Sequence, residues 1–315
     1  MSEFTQEIPK SLQDDEAKEF NRILARLGEF GFQNADIESV MDVLSAREDL
    51  KRAKKSIGPR LIEFVEKELK SQSDFKAGVF LDKIKDQIEA RCSKAHFTQA
   101  NAYYDKLFQK VPSSYPSGLF RQIFTTNYDR CLEEFLENRS YEDGFEQSKG
   151  FGRVFTGNWP EAGNAYVNTL CKLHGSVDWF QVGDRVYQFP FVPGQSLTNK
   201  QMAGRMMVYP ASEKYTMVSP YAESLFYLRR SLMTDNIEPF VIVVGYSFRD
   251  DPINNAFIDA LKVNRHLRIL SVRPLASANQ YELEEPLRSK VVPVDAEFGK
   301  DTAFGAIRSA IQKAG

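Results

Sequence analysis

Along the first 110 residues, apolar side chains recur at helical spacing and are separated by charged positions. The stretch DDEAKEFNRILARLGEF sets Phe20, Ile23, Leu24 and Leu27 on one face, and ADIESVMDVLSA does the same with Ile37, Val40, Met41 and Leu44. RLIEFVEKELK follows Pro59, a residue suited to the first turn of a helix, and VFLDKIKDQIEARC continues the pattern. From residue 118 the texture changes to short runs rich in β-branched and aromatic residues. LFRQIFTT predicts a strand with helix YDRCLEEFLE after it, and VNTLCKLHG predicts a second strand. DWFQV and RVYQFP predict a hairpin across Gly183-Asp184, MMVYP a short strand, and PYAESLFYLRRSLM a helix. Three cleaner strand–helix units close the chain: EPFVIVVG with DPINNAFIDALKV, HLRILSV with ANQYELEEPLRS, and KVVPVD with DTAFGAIRSAIQ. This alternation predicts an α/β fold: a Rossmann-like parallel sheet with helices on both faces, whose ligands sit at the carboxyl ends of the strands.

Composition bounds this picture. Of 315 residues, 42% are apolar and 27% charged, ordinary globular values that exclude disorder, collagen and a disulfide scaffold. We expect one domain over 1–315, with a mostly helical segment over 1–117, a Rossmann-like core over 118–315, and a small hairpin-containing insertion near 176–215. Lys and Arg number 41 against 43 Asp and Glu, so the formal charge of −2 gives no global attraction to nucleic acid or anionic membrane. The basic run KRAKK, Lys51 to Lys55, lies beside acidic residues at helical intervals and lacks interleaved aromatics, which fits a solvated helix face. The N-terminus lacks the basic start and apolar stretch of a signal peptide. The longest apolar run, Phe240 to Phe248, is far below the roughly 18–20 residues that span a bilayer. The three cysteines, Cys92, Cys131 and Cys171, are odd in number and widely separated, which fits reduced thiols in the cytoplasm. Neither C-x-x-C nor H-E-x-x-H occurs, so no metal site is expected.

Three short motifs fall at strand ends. In TTNYD, Thr125 to Asp129, the Asn and Asp suit a turn and a helix cap; equally, an amide and a carboxylate can project into a ligand crevice. In KLHGS, Lys172 to Ser176, His174 lies just past an apolar strand, either as a structural histidine or as a group that exchanges a proton near neutral pH. GYSFRDDPIN, Gly245 to Asn254, follows the most hydrophobic strand; Asp251 with Pro252 reads as an N-cap and N1 pair, and the helix amides behind them favour an anion.

Together and in this order, the three motifs resemble the sirtuin-like (silent information regulator type) family of NAD-consuming Rossmann-type proteins. TTNYD matches the family's T-x-N-x-D element, KLHGS its His-Gly element, and VVGYSFRDDPIN is similar to the version in bacterial antiphage defence domains. The resemblance covers roughly residues 118 to 298 and implies that His174 is the general base, that Asn127 holds the nicotinamide ribose and attacking water, and that Asp129 contacts the carboxamide or orients Asn127. Thr125 and Thr126 would line the same end. Gly245, Tyr246 and Ser247 would lie on the adenosine ribose and phosphate side, and Arg273 of SVRP would approach the adenosine. It implies NAD as substrate, no metal, a homo-oligomer, and a defence-system partner protein.

Two departures from the family pattern shape the expectation. Sirtuin deacetylases carry a four-Cys zinc site that three cysteines cannot build, which favours NAD hydrolysis over protein deacylation. The family's G-A-G-x-S loop and the strand before it have no match ahead of TTNYD, so the expectation is an N-terminally incomplete member lacking its first strand, with impaired pyrophosphate binding. The alternative is a non-catalytic module that binds NAD or ADP-ribose.

Overall fold

The computed structural model describes residues 2–32, 35–52, 77–93, 97–110, 122–148, 152–160, 167–189, 205–208, 218–233, 240–246, 248, 250–264, 267–273, 290–298 and 300–314. They fall into two compact units. One comprises residues 1–94 with 193–196 and 207–216; the other comprises 95–192, 197–206 and 217–315.

The first unit holds helices α1 (Ser2–Ser11), α2 (Asp14–Glu29), α3 (Ile37–Arg52) and α4 (Ala77–Cys92). Their apolar stripes pack together. Ile8, Phe20, Ile23, Phe80, Ile84 and Ile88 are buried, as are all four α3 residues of the predicted face, Ile37, Val40, Met41 and Leu44. Leu24 and Leu27 of α2 are only half-buried. Asp36 caps α3 by accepting from the amides of Glu38 and Ser39 at 3.0 and 3.3 Å. Lys51 and Arg52 lie in α3; the rest of KRAKK and the RLIEFVEKELK stretch lie outside the described residues.

The second unit is doubly wound. Parallel strands β1 (Gln122–Thr125), β5 (Asn168–Lys172) and β2 (Tyr141–Glu142) form one trio with β5 central. Parallel strands β9 (Phe240–Val244), β10 (Arg268–Arg273) and β11 (Val291–Asp295) form the other with β10 central. Side chains alternate between two cores, as the period of a strand requires. Cys171, Val243 and Ile269 face a core shared with α7 (Tyr221–Leu232) and α8 (Asp251–Val263). Leu270, Val272 and Val244 face the opposite side with α9 (Asp301–Ala314). On that second side, Leu170 packs with α5 (Phe97–Lys110) and the short α6 (Cys131–Leu136). Helices thus cover both faces, as predicted. The edge strands are β1 and β2 in the first trio and β9 and β11 in the second, and no pairing joins the two trios among the described residues. The predicted helix ANQYELEEPLRS lies outside those residues.

Tyr227 of α7 ties the first trio to this core. Its ring stacks on Trp159 at 4.9 Å, and its hydroxyl meets Thr169 of β5 at 3.1 Å and Gln122 of β1 at 3.3 Å.

The hairpin is present: β6 (Gly175–Val182) and β7 (Arg185–Gln188) pair antiparallel around Gly183-Asp184. The sheet that carries it is larger than expected. It has five strands in the order β3-β4-β7-β6-β8, drawing in β3 (Phe145–Gln147) and β4 (Arg153–Phe155) from ahead of β5, with β8 (Arg205–Met207) on the far edge. Phe145, Trp179 and Val186 form its core. Arg153 locks β4 to the β2–β3 turn through two 2.6 Å contacts with Asp143.

Among the described residues no helix is long and apolar enough to cross a membrane. Cys171 is fully buried, and burial pushes its thiol up to about 12. Burial, with the Asp129 carboxylate beside it, also pushes the Cys131 thiol well up. Both thiols are therefore uncharged and inaccessible at neutral pH. In native protein, Cys131 and Cys171 will resist a thiol reagent such as DTNB until the chain is unfolded; rapid labelling of either without denaturant would contradict this packing.

Candidate functional site

The register of β1 and β5 brings two motifs to one place. Thr125 pairs with Lys172, so both strands end at the same level, and Leu173 N–H donates to Thr125 O at 2.8 Å just beyond. Asn127 lies two residues past the end of β1 and His174 two residues past the end of β5. Asn127 is exposed. The Tyr128 ring lies 6.4 Å from the His174 ring. Gly175 follows with φ +80°, a left-handed conformation that turns the chain directly into β6.

A buried ammonium holds the TTNYD loop. Lys172 is 3% exposed, and its Nζ reaches Tyr128 O at 3.3 Å, Asp129 O, Ser176 Oγ at 2.9 Å and Glu133 Oε1 at 2.9 Å. Three protons serve four oxygens from three segments. Tyr128 O also accepts from Ser176 Oγ at 3.2 Å and from Val177 N–H at 3.1 Å. Glu133 is equally buried; burial raises its carboxyl above the usual range, against the pull of Lys172. Asp178 stands close by, accepting from Gln188 Nε2 at 3.0 Å and facing Arg130 Nε at 3.3 Å.

The other members of TTNYD are half-buried. Thr125 Oγ1 accepts from Asn127 N–H at 3.1 Å. Asp129 Oδ1 accepts from Cys131 N–H at 2.9 Å, opening α6. Thr126 is half-buried. Asn127 is therefore the TTNYD side chain left facing outward.

The third motif follows β9. Gly245 takes φ +66°, and a Cβ there would meet open space, so the residue answers a conformational need rather than a steric one. Phe248 also takes φ 56°, a conformation bulky residues rarely adopt. It is held because Phe248 is buried and Asn254 Nδ2 donates to its carbonyl at 2.8 Å. Tyr246 Oη contacts Asp250 O at 3.3 Å and Asn254 Oδ1 at 3.2 Å, so its hydroxyl braces the loop. Ser247 lies outside the described residues.

The expected cap of α8 is corrected by one residue. Asp250 is the N-cap: its Oδ1 accepts from Ile253 N–H at 3.2 Å. Asp251 and Pro252 are the first two helical residues, and proline is tolerated at either. The expected anion site at this terminus is weakened accordingly. Asp250 occupies the Ile253 amide, Pro252 has no N–H, and the charges of Asp250 and Asp251 oppose a second anion.

Asp250 is also the residue that sequence reasoning missed. Its Oδ2 lies 2.9 Å from His174 Nε2, which joins the second motif to the third. Asp250 is 6% exposed and the His174 side chain 14%, so the pair is shielded while the ring keeps some access to solvent. Arg273 ends β10, aligned with Asp295 of β11; its Nε is buried and makes no hydrogen bond among the described residues. No cluster of three or more His, Cys, Asp or Glu side chains able to hold a metal ion occurs among the described residues.

A family model for the SIR2-like domain matches residues 121–288, just over half of the chain. The chain belongs to the SIR2-like domain family. The matched span contains all three motifs and runs from β1 past β10; helices α1 to α5, β11 and α9 fall outside it. None of the curated proteins compared with the chain matches it. Membership supports an NAD-related function in general, and this SIR2-like domain puts an exposed amide and an oriented imidazole together at the strand ends, where doubly wound sheets bind nucleotides.

Replacing Lys172 with Met should leave the Glu133 carboxyl buried without its partner and remove a donor from two carbonyls. We expect a loss of about 3–5 kcal/mol in urea unfolding. A loss below about 1 kcal/mol would mark the contact as no stronger than a surface ion pair.

Proposed function

We propose that this SIR2-like domain hydrolyses NAD to nicotinamide and ADP-ribose. The observation that carries this reading is the joining of two motifs, with Asn127 beside His174 at adjoining strand ends and the imidazole held by Asp250. Nicotinamide in NAD is already cationic and leaves as a neutral molecule, so the leaving group needs little acid assistance. As the C1′–N bond breaks, its electron pair goes to the nicotinamide nitrogen and the ribose takes on oxocarbenium character. Water attacks C1′, a C–O bond forms, and the proton it loses passes to His174 and then to solvent. Asn127 would position the ribose hydroxyls and the water, since an amide can both donate and accept. These roles need no metal. The biological setting we propose is cytoplasmic antiphage defence: a homo-oligomer, triggered by infection or by a partner protein, depletes cellular NAD.

A second reading has its own support. At the α8 terminus Asp250 takes up the Ile253 amide, Pro252 has no N–H, and Asp251 adds a second carboxylate. These features weaken an anion site there and favour a module that binds NAD or ADP-ribose without turnover. Protein deacylation is less favoured, because three cysteines cannot build a four-Cys zinc site.

Incubation with NAD should release nicotinamide and ADP-ribose, measured by liquid chromatography, and His174→Ala should lower the rate by about 10²–10⁴-fold. Turnover that survives His174→Ala would overturn the role of His174. Calorimetric binding of ADP-ribose with NAD left intact would establish the binding module instead.

A further inference from the structure

We propose that Asp250 is a positioning residue that selects the Nε2–H tautomer of His174 and thereby makes Nδ1 the atom that takes the proton. This rests on the hydrolase reading for its catalytic meaning, while the tautomer itself can be read without any activity.

The argument starts from what a carboxylate can do. An ionised carboxylate only accepts hydrogen bonds. Asp250 stands at the N-terminus of α8, where the helix dipole favours negative charge, and its Oδ1 already accepts the Ile253 amide. The 2.9 Å contact between Oδ2 and His174 Nε2 therefore has the imidazole donating. A neutral imidazole that carries its proton on Nε2 has its lone pair on Nδ1.

The main chain that carries this carboxylate is held from several directions. Asn254 N–H donates to Asp250 O at 2.8 Å, Tyr246 Oη contacts the same carbonyl at 3.3 Å, and Asn254 Nδ2 ties Phe248 O at 2.8 Å. These contacts keep the strained Phe248 turn in place, so the carboxylate has little freedom to follow a rotating ring. On its other side, His174 is confined by Gly175 with φ +80° and by the Tyr128 ring. The ring is thus clamped between a helix terminus on one strand's loop and a turn on another's. The GYSFRDDPIN segment then serves the nicotinamide ribose side of the reaction through His174, in addition to any role toward the rest of the dinucleotide.

Two arms test this on the full chain. Long-range ¹H–¹⁵N correlation spectra, with His174 assigned through His174→Ala among only three histidines, should show a protonated Nε2 and an unprotonated Nδ1 above the imidazole titration. In Asp250→Asn, which keeps a good N-cap, the two tautomers should mix. Asp250→Ser, a second cap that cannot reach the ring as a carboxylate, guards against a folding defect in the first variant. In the kinetic arm, kcat for NAD cleavage should fall by about 10²–10⁴-fold in both variants with KM near the wild-type value. A wild-type Nδ1–H tautomer, or a tautomer unchanged in both variants, would overturn the proposal whether or not NAD is cleaved. The Nε2–H tautomer in a protein that leaves NAD intact would uphold the positioning and remove the hydrolase reading alone.

Discussion

A single buried ammonium, that of Lys172, ties together the loop that ends β1, the helix that follows it and the strand that leaves His174. A lysine removed from water loses several kcal/mol of solvation, and only near-complete pairing offsets that loss. Here the pairing is built from Glu133, two main-chain carbonyls and the Ser176 hydroxyl. Because two of the four are carbonyls of the TTNYD loop, the cost of unpairing the ammonium becomes a restraint on loop geometry. Asn127 directly precedes the first of those carbonyls, so the restraint acts on the main chain that carries it.

The second restraint is the His174–Asp250 contact. It spans 76 residues of sequence and links the first parallel trio to the helix that follows the second. The two trios share a core of Cys171, Val243, Phe257 and Ile269. The polar contact above that core then sets the ring at its end. Apolar packing brings the strands together non-directionally, and the charged contacts at their carboxyl ends supply direction. The same arrangement explains why Phe248 tolerates a left-handed backbone: its ring is buried and its carbonyl is bound, so packing outweighs the strain.

Much of the fold is legible in local pattern. Helix α8 spans the DPINNAFIDALKV stretch end to end, and the α3 stripe buries all four of its expected residues, because both signals repeat over several turns. The hairpin is legible because Gly183-Asp184 suits the turn. Strands β3 and β4 are only three residues long and owe their existence to pairing, β4 with β7 and β3 with β4, which local pattern does not carry. The site divides in the same way. Asn127 and His174 are visible as polar residues at strand ends. Lys172 reads as the polar last residue of a mixed strand, and its partner Glu133 lies 39 residues earlier. Asp250 and Asp251 both satisfy a cap pattern before proline; the fold selects Asp250, whose two oxygens meet Ile253 and His174.

The central claim is that the carboxyl ends of β1 and β5, closed by the Asp250 loop, form the NAD site. A crystal structure of the His174→Ala chain with NAD bound would test it most directly. The account predicts the nicotinamide ribose against Asn127 and beside position 174, within reach of the Asp250 carboxylate. NAD bound away from these strand ends, or against helices α1 to α4, would contradict it.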